Sequence, residues 1–323
     1  MMRWIQLGRQ KMKVIERINN TVNPRFSYEI LPPQKGEGIT KIMDVVSQLK
    51  AYDPAWINVT SHASSLIKEK TSTGEEIKRV YKKRPGTISV CGVIQNKFGI
   101  DAVAHMLCQG FTREETENAL IDLSYLGVEN ILALRGDNLN YDKELGGSKR
   151  TNGHANELTS QVHDIRNGKF LDNTEYFPLD FCMGVAGYPE KHVMSLDVDI
   201  DIMYLKKKVE AGAEYIITQM FFDNSKYYEF VARCRDAGIN VPIIPGLKLL
   251  KTVNQLQVLP KLFHIGMPVA LVEEANRASE HIIEIGQNWL KKQVRDLLEH
   301  NVLNLHFFLM NDAKNILDIV ANI

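Results

Sequence analysis

The segment Phe26-Ser27-Tyr28-Glu29-Ile30-Leu31-Pro32-Pro33 sets an acid where acids are costly. Strand alternation puts Phe26, Tyr28 and Ile30 on one face and Ser27 and Glu29 on the other, and the proline pair ends the strand. A carboxyl on the inward face of a strand end costs free energy unless it is paired or used. If used, it is a general acid or base. Burial favours its protonated form, so Glu29 is expected to have a raised pKa. If paired, it is half of an inward ion pair with Arg or Lys. The strand alone supports both readings.

Three other segments carry groups suited to binding. In Leu132-Ala133-Leu134-Arg135-Gly136-Asp137, Arg135 and Asp137 are expected to share the inward face, and Gly136 lets a ligand approach the backbone. A strand-terminal ion pair followed by a turn explains the same residues. Ala186-Gly187-Tyr188-Pro189-Glu190-Lys191-His192 offers a ring and an imidazole that can stack on and hydrogen-bond a planar cofactor, although a lone His is more often structural. In Thr218-Gln219-Met220-Phe221-Phe222-Asp223, the inward Gln219 offers a donor and an acceptor to a heterocycle edge. Asp201 and Lys208 share one helix face, as a cofactor contact or a plain salt bridge requires, and Lys207 and Lys208 can meet a diphosphate.

Other chemistries lack their signatures. There is no HExxH and no cysteine cluster, and the nine histidines are scattered, so no metal site is expected. No GxGxxG follows a strand and no GxxxxGK[ST] occurs, so a dinucleotide would bind outside a Rossmann fold. No GxSxG nucleophile elbow is present.

The elements that must position these groups alternate. Strands are expected at 26–31, 55–60, 102–108, 130–135, 181–186, 215–221, 242–245 and 303–308. Between them lie helical segments. That at 112–126 opens on a Thr112/Glu115 capping box and stops at Gly127, that at 199–211 stops at Gly212, and that at 224–236 ends before Gly238. The segment 274–300 is long enough for two helices. Eight strands alternating with helices favour an α/β fold of the (β/α)₈ TIM-barrel type, a single domain, over a doubly wound sheet. Residues 1–24 read as an N-terminal extension and first helix, and 25–323 as the barrel. The polar stretch 138–156 follows a strand directly and so belongs at the catalytic rim, with 167–174 on the opposite face.

Composition is that of a globular chain, 44% hydrophobic and 24% charged, with 39 basic and 39 acidic residues. That balance gives no support for nucleic-acid or membrane-surface binding. The four cysteines are far apart and read as reduced, mostly buried thiols. The first ten residues lack the apolar core of a signal peptide, and no apolar run approaches a membrane span, so a cytoplasmic protein is expected.

Taken together, FSYEILPP, ALRGD, AGYPEKH and ITQMFFD, in that order at strand ends, resemble the motifs of the methylenetetrahydrofolate reductase family. The resemblance runs from about Phe26 to Asn311 and is to the short bacterial type, without a C-terminal regulatory domain. It implies a ping-pong flavoenzyme that reduces 5,10-methylenetetrahydrofolate to 5-methyltetrahydrofolate with NADH or NADPH and feeds methionine synthesis. It also implies FAD as cofactor and a homo-oligomer. Carried over by residue, Glu29 is the general acid, Asp137 lies near both flavin and folate, where its charge would raise the Glu29 pKa further, and Gln219 and Gln255 bind substrate. The FAD positions are Thr60, His105, Arg135, Gly136, Asp137, His154, Ala155, Tyr188, His192, Asp201, Tyr204, Lys207 and Lys208. One departure stands out: Asp312 replaces an Arg that contacts substrate in the family, with Lys314 the nearest cation in sequence. Two alternatives remain, a related flavin barrel acting on another imine or pterin, and a folate-binding subunit without turnover.

Overall fold

The computed structural model describes residues 11–72, 74–136, 151–172, 176–192, 194–310 and 312–322. Its strands are β1 (Arg25–Ile30), β2 (Ile57–Val59), β3 (Ser65–Lys70), β4 (Glu76–Tyr81), β5 (Ala102–Leu107), β6 (Asn130–Leu134), β7 (Cys182–Gly187), β8 (Tyr215–Met220), β9 (Ile243–Leu247) and β10 (Asn304–Phe308). Eight of them close a barrel in the order β1-β10-β9-β8-β7-β6-β5-β2, every neighbouring pair parallel. These are the eight strands expected. The β3–β4 antiparallel hairpin was not expected. It has no buried face and so lacks the apolar alternation that marks a strand.

The helices begin and end on local chemistry. Thr112 Oγ1 accepts from the Glu115 amide while Glu115 Oε2 accepts from the Thr112 amide, both at 2.9 Å, and this capping box opens Arg113–Tyr125. Asp197 and Asp223 cap Val198–Glu210 and Asn224–Asp236 in the same sense. The long segment after β9 forms separate helices, including Val269–Arg277 and Ile282–Glu299. Among the described residues no helix is long and apolar enough to cross a membrane. All four cysteines are buried free thiols.

Two apolar layers organise the barrel. Tyr28, Ile30, Ile57, Val59, Ala104, Ile131 and Ala133 face outward against helix residues such as Val46, Leu49, Leu120 and Leu123. The opposite phase turns Trp56, Val103, Leu132, Cys182, Tyr215, Ile217 and Ile244 into the barrel. The short helix Val14–Asn19 closes this end. Val14 joins the inward cluster, its amide donates to Asn130 Oδ1 at 2.8 Å, and Arg17 pairs with the buried Asp101. With its floor plugged by apolar side chains, the barrel keeps its inward polar groups at the carboxyl ends of the strands.

The inward phase is tightly filled at Gly184, where a Cβ would overlap the buried Tyr215 ring. Gly184→Ala should therefore cost about 1–3 kcal/mol of stability through overpacking. Urea unfolding of the two proteins checks this, and a midpoint matching that of the unsubstituted protein would contradict the packing described.

Candidate active site

Above the apolar layer, four inward positions converge on one carboxyl. β1 supplies Ser27 and Glu29, β2 supplies Asn58, β5 supplies His105 and β10 supplies His306. Register explains the meeting: Ser27 pairs with His306, and Glu29 with Asn58 on one side and Phe308 on the other. Glu29 Oε2 lies 3.5 Å from His105 Nε2 and 3.9 Å from His306 Nε2, with 14% of its side chain exposed. His306 is fully buried. Its Nδ1 meets Ser27 Oγ at 2.8 Å, while its Nε2 has no hydrogen-bond partner and faces Glu29. His105 Nε2 meets the Asn58 amide nitrogen at 3.1 Å.

The electrostatics correct the expectation from sequence. Burial disfavours the Glu29 charge more than any single neighbour favours it. Yet His306, His105 and Lys248 together hold the carboxyl below its ordinary pKa, not above it. The sequence reading counted burial and one neighbouring acid and missed three basic groups delivered by three other strands. Burial pushes His105 down to about 4, against the pull of Glu29, so its imidazole is neutral at neutral pH. A neutral His105 accepts from Asn58, and the unpaired His306 Nε2 can exchange a proton with Glu29 while Ser27 steadies the far side of the ring. The arrangement can hold or move one proton at the Glu29 carboxyl.

A second group surrounds the ends of β6 and β7. Tyr188 and His192 sit edge to face at 4.6 Å. The His192 amide donates to Asp201 Oδ2 at 3.0 Å, and Lys208 Nζ donates to the Ala186 carbonyl at 2.7 Å. Burial lowers the Lys208 ammonium to about 8, with Asp201 opposing the shift. The Arg135 guanidinium contacts Met194 Sδ. Contrary to the sequence reading, Leu132 and Leu134 hold the inward phase of β6. Arg135, one residue past the strand, continues the outward phase of Ile131 and Ala133. Gly136 has φ +90°, a conformation other residues rarely adopt. Asp137 and most of the 138–156 stretch lie outside the described residues.

The remaining candidates separate from these groups. Thr60 follows β2 and bonds His62 through its hydroxyl at 3.0 Å. Gln219 lies in the inward phase of β8, its Oε1 accepting from the Met220 amide at 2.9 Å. Gln255 Oε1 accepts from the Lys251 and Thr252 amides, so it caps its own loop. His154 and Ala155 open the helix Ala155–Arg166. Tyr204 and Lys207 are exposed on Val198–Glu210, the ammonium 5.1 Å from the ring centroid. Asp312 is paired at 2.5 Å with Lys251, not with Lys314. Sequence reasoning passed over Asn58, His306 as a partner of Glu29, and Lys248. Each has the strand parity that turns it inward, which is the signal that would have found them.

The family model described as methylenetetrahydrofolate reductase matches residues 14–323. The chain belongs to the methylenetetrahydrofolate reductase family. It is 29% identical over 291 residues to the 5,10-methylenetetrahydrofolate reductase of Salmonella typhimurium, covering 89% of this chain and 86% of that one. It is 29% identical over 304 residues to methylenetetrahydrofolate reductase 1 of Schizosaccharomyces pombe, covering 92% of this chain and 45% of the relative. The chain thus spans about half the length of that relative and of the NADH-named Arabidopsis thaliana one, where the share is 51%. In structure it resembles a Clostridium thermocellum protein described as binding two copies of 5-methyl-5,6,7,8-tetrahydrofolic acid. The TM-score is 0.61, with 95% and 96% of the two chains covered. At 15% identity that likeness concerns the fold.

The His105 environment predicts a pH dependence of stability. A histidine held neutral in the fold binds its proton more tightly when unfolded. Its contribution is therefore complete above about pH 6.5 and is lost as the pH falls towards about 4. His105→Gln should lose less stability than the unsubstituted protein between pH 7 and pH 5, a difference of order 1–2 kcal/mol in urea titrations. Equal losses would contradict the neutral assignment.

Proposed function

We propose that this chain is a flavin-dependent oxidoreductase that reduces 5,10-methylenetetrahydrofolate to 5-methyltetrahydrofolate with a reduced nicotinamide nucleotide. The observation that carries the reading is the buried Glu29 carboxyl. Two histidines contact it at the end of the barrel where active sites of this fold are built, in a chain of this family. Opening the five-membered ring of the substrate needs a proton on the departing nitrogen, and Glu29 would deliver it.

The second group fits FAD. The paired Tyr188 and His192 rings offer an aromatic wall, Gly136 a backbone open to close approach, and Lys208 and Arg135 positive charge for a diphosphate. Met194, which contacts Arg135, and Tyr204, which shares a helix face with Asp201 and Lys208, are exposed side chains that an extended ring system would cover. Thr60, His105, Arg135, Gly136, Tyr188, His192, Asp201 and Lys208 would hold the cofactor, with His154, Ala155, Tyr204 and Lys207 at its outer parts and Asp137 as the resemblance implies. The bound flavin would supply the hydride.

The chain's own residues manage the proton and the orientation. Glu29 is ionised in the free protein. Substrate entry expels the water that still reaches it, disfavours the charge and brings it to the acid form. His306, steadied by Ser27 and 3.9 Å from the carboxyl, would return that proton between turnovers. Gln219 faces the same space from β8 and would align the pterin edge.

Two outcomes are expected. The purified protein should carry noncovalent FAD, released on denaturation and seen in its absorbance spectrum, and a colourless protein that FAD cannot reconstitute would sink the cofactor assignment. Glu29→Gln should oxidise the nicotinamide with an artificial electron acceptor at a near-normal rate. Its methylenetetrahydrofolate-dependent turnover should fall about 10²–10⁴-fold. Equal losses in both assays would make Glu29 a structural residue.

A further inference from the structure

Lys248 is a buried lysine in the barrel mouth for which the reaction above has no use. It follows β9 directly, and strand parity carries the inward phase from Ile244 through Gly246 to Lys248. Its residue is 8% exposed, and among the described residues it makes no hydrogen bond and no ion pair within 4.0 Å. A lysine on the inward face of a strand end, with no ion pair to balance it, is costly unless its charge is used.

Its neighbours show what the charge faces. Gly246 is in register with His306 and Leu247 with Phe307, so Lys248 lies level with Phe308, the partner of Glu29 on the other side. The Phe308 ring leans over Gly246, where an added Cβ would come within 2.6 Å of it. Glu29 and Lys248 therefore occupy the same inward tier, separated by one strand. Lys251 is the other cation on this segment, and Asp312 takes up its charge at 2.5 Å. That ion pair gives the acid at position 312 a partner, and Lys248 is the lysine that acts on Glu29. The charged and titratable groups facing the carboxyl are then His105 from β5, His306 from β10 and Lys248 from the end of β9. His62, from the loop after β2, acts on His105, and Lys251 acts on Lys248.

We propose that Lys248 is a positioning residue for Glu29, its ammonium supplying the positive charge against which the carboxyl keeps or releases its proton. The effect runs in both directions: Glu29 raises the proton affinity of Lys248 while burial and Lys251 lower it, to about 8. The proposal rests on Glu29 as the acid of the folate step, but its direct test does not require turnover.

The test is an infrared titration of the protein as purified, reading the protonated-carboxyl stretch that disappears in Glu29→Gln. In Lys248→Met the band should persist to a pH higher by about one unit or more, because removing an opposite charge disfavours the carboxylate. Lys248→Arg should restore the original position. The alkaline limb of methylenetetrahydrofolate turnover should move upward with the band in Lys248→Met, with oxidation of the nicotinamide by an artificial acceptor unchanged. Lys248→Met should fold, since it replaces a mostly buried side chain by an apolar one of similar length. A band that titrates identically in Lys248→Met and the unsubstituted protein would overturn the proposal. So would a raised KM with an unmoved pH limb, which would make Lys248 a substrate contact. Absence of folate turnover in every protein would count against the proposed reaction and leave the infrared comparison standing.

Discussion

The structure turns on one constraint: a carboxylate in the mouth of a closed barrel must be compensated by groups from other strands. Glu29 cannot find a partner on its own strand, because its inward neighbour is Ser27. Compensation comes from β5, β10 and the end of β9, and it depends on register. A one-residue slip in any of these strands would turn its basic side chain into the outer apolar layer. The apolar floor of Trp56, Leu132, Tyr215 and Ile244 matters for the same reason. It excludes water below the carboxyl, which makes each neighbouring charge count for more.

Strand parity and punctuation made the fold legible. Alternating or continuous apolar runs bounded by Gly, Pro or capping residues located the eight barrel strands, and the Thr112/Glu115 box marked a helix start that the structure keeps. The β3–β4 hairpin escaped because its residues are largely exposed and charged, so burial imposes no pattern on them.

The site was legible in part. Glu29 and Gln219 stood out as polar residues on inward strand ends, and both do face the barrel interior. Arg135 did not follow: β6 is continuously apolar over 131–134, so its sequence carries no alternation to set the phase, and Leu132 and Leu134 take the inward side while Arg135 shares the outward parity of Ile131 and Ala133. The sign of the Glu29 pKa shift was out of reach for another reason. His105, Lys248 and His306 are 76, 219 and 277 residues away in sequence, and only barrel closure brings them together. The same closure pairs Asp312 with Lys251, 61 positions distant, rather than with its sequence neighbour Lys314.

Glu29, brought to its acid form as substrate enters, is proposed to donate the proton for reduction of a one-carbon folate. The most direct measurement is product analysis after anaerobic incubation of the purified protein with methylenetetrahydrofolate and a reduced nicotinamide nucleotide, with 5-methyltetrahydrofolate quantified chromatographically. The account predicts product in many-fold excess over protein. Nicotinamide oxidised by a folded, flavin-loaded protein with no methyl product would contradict it.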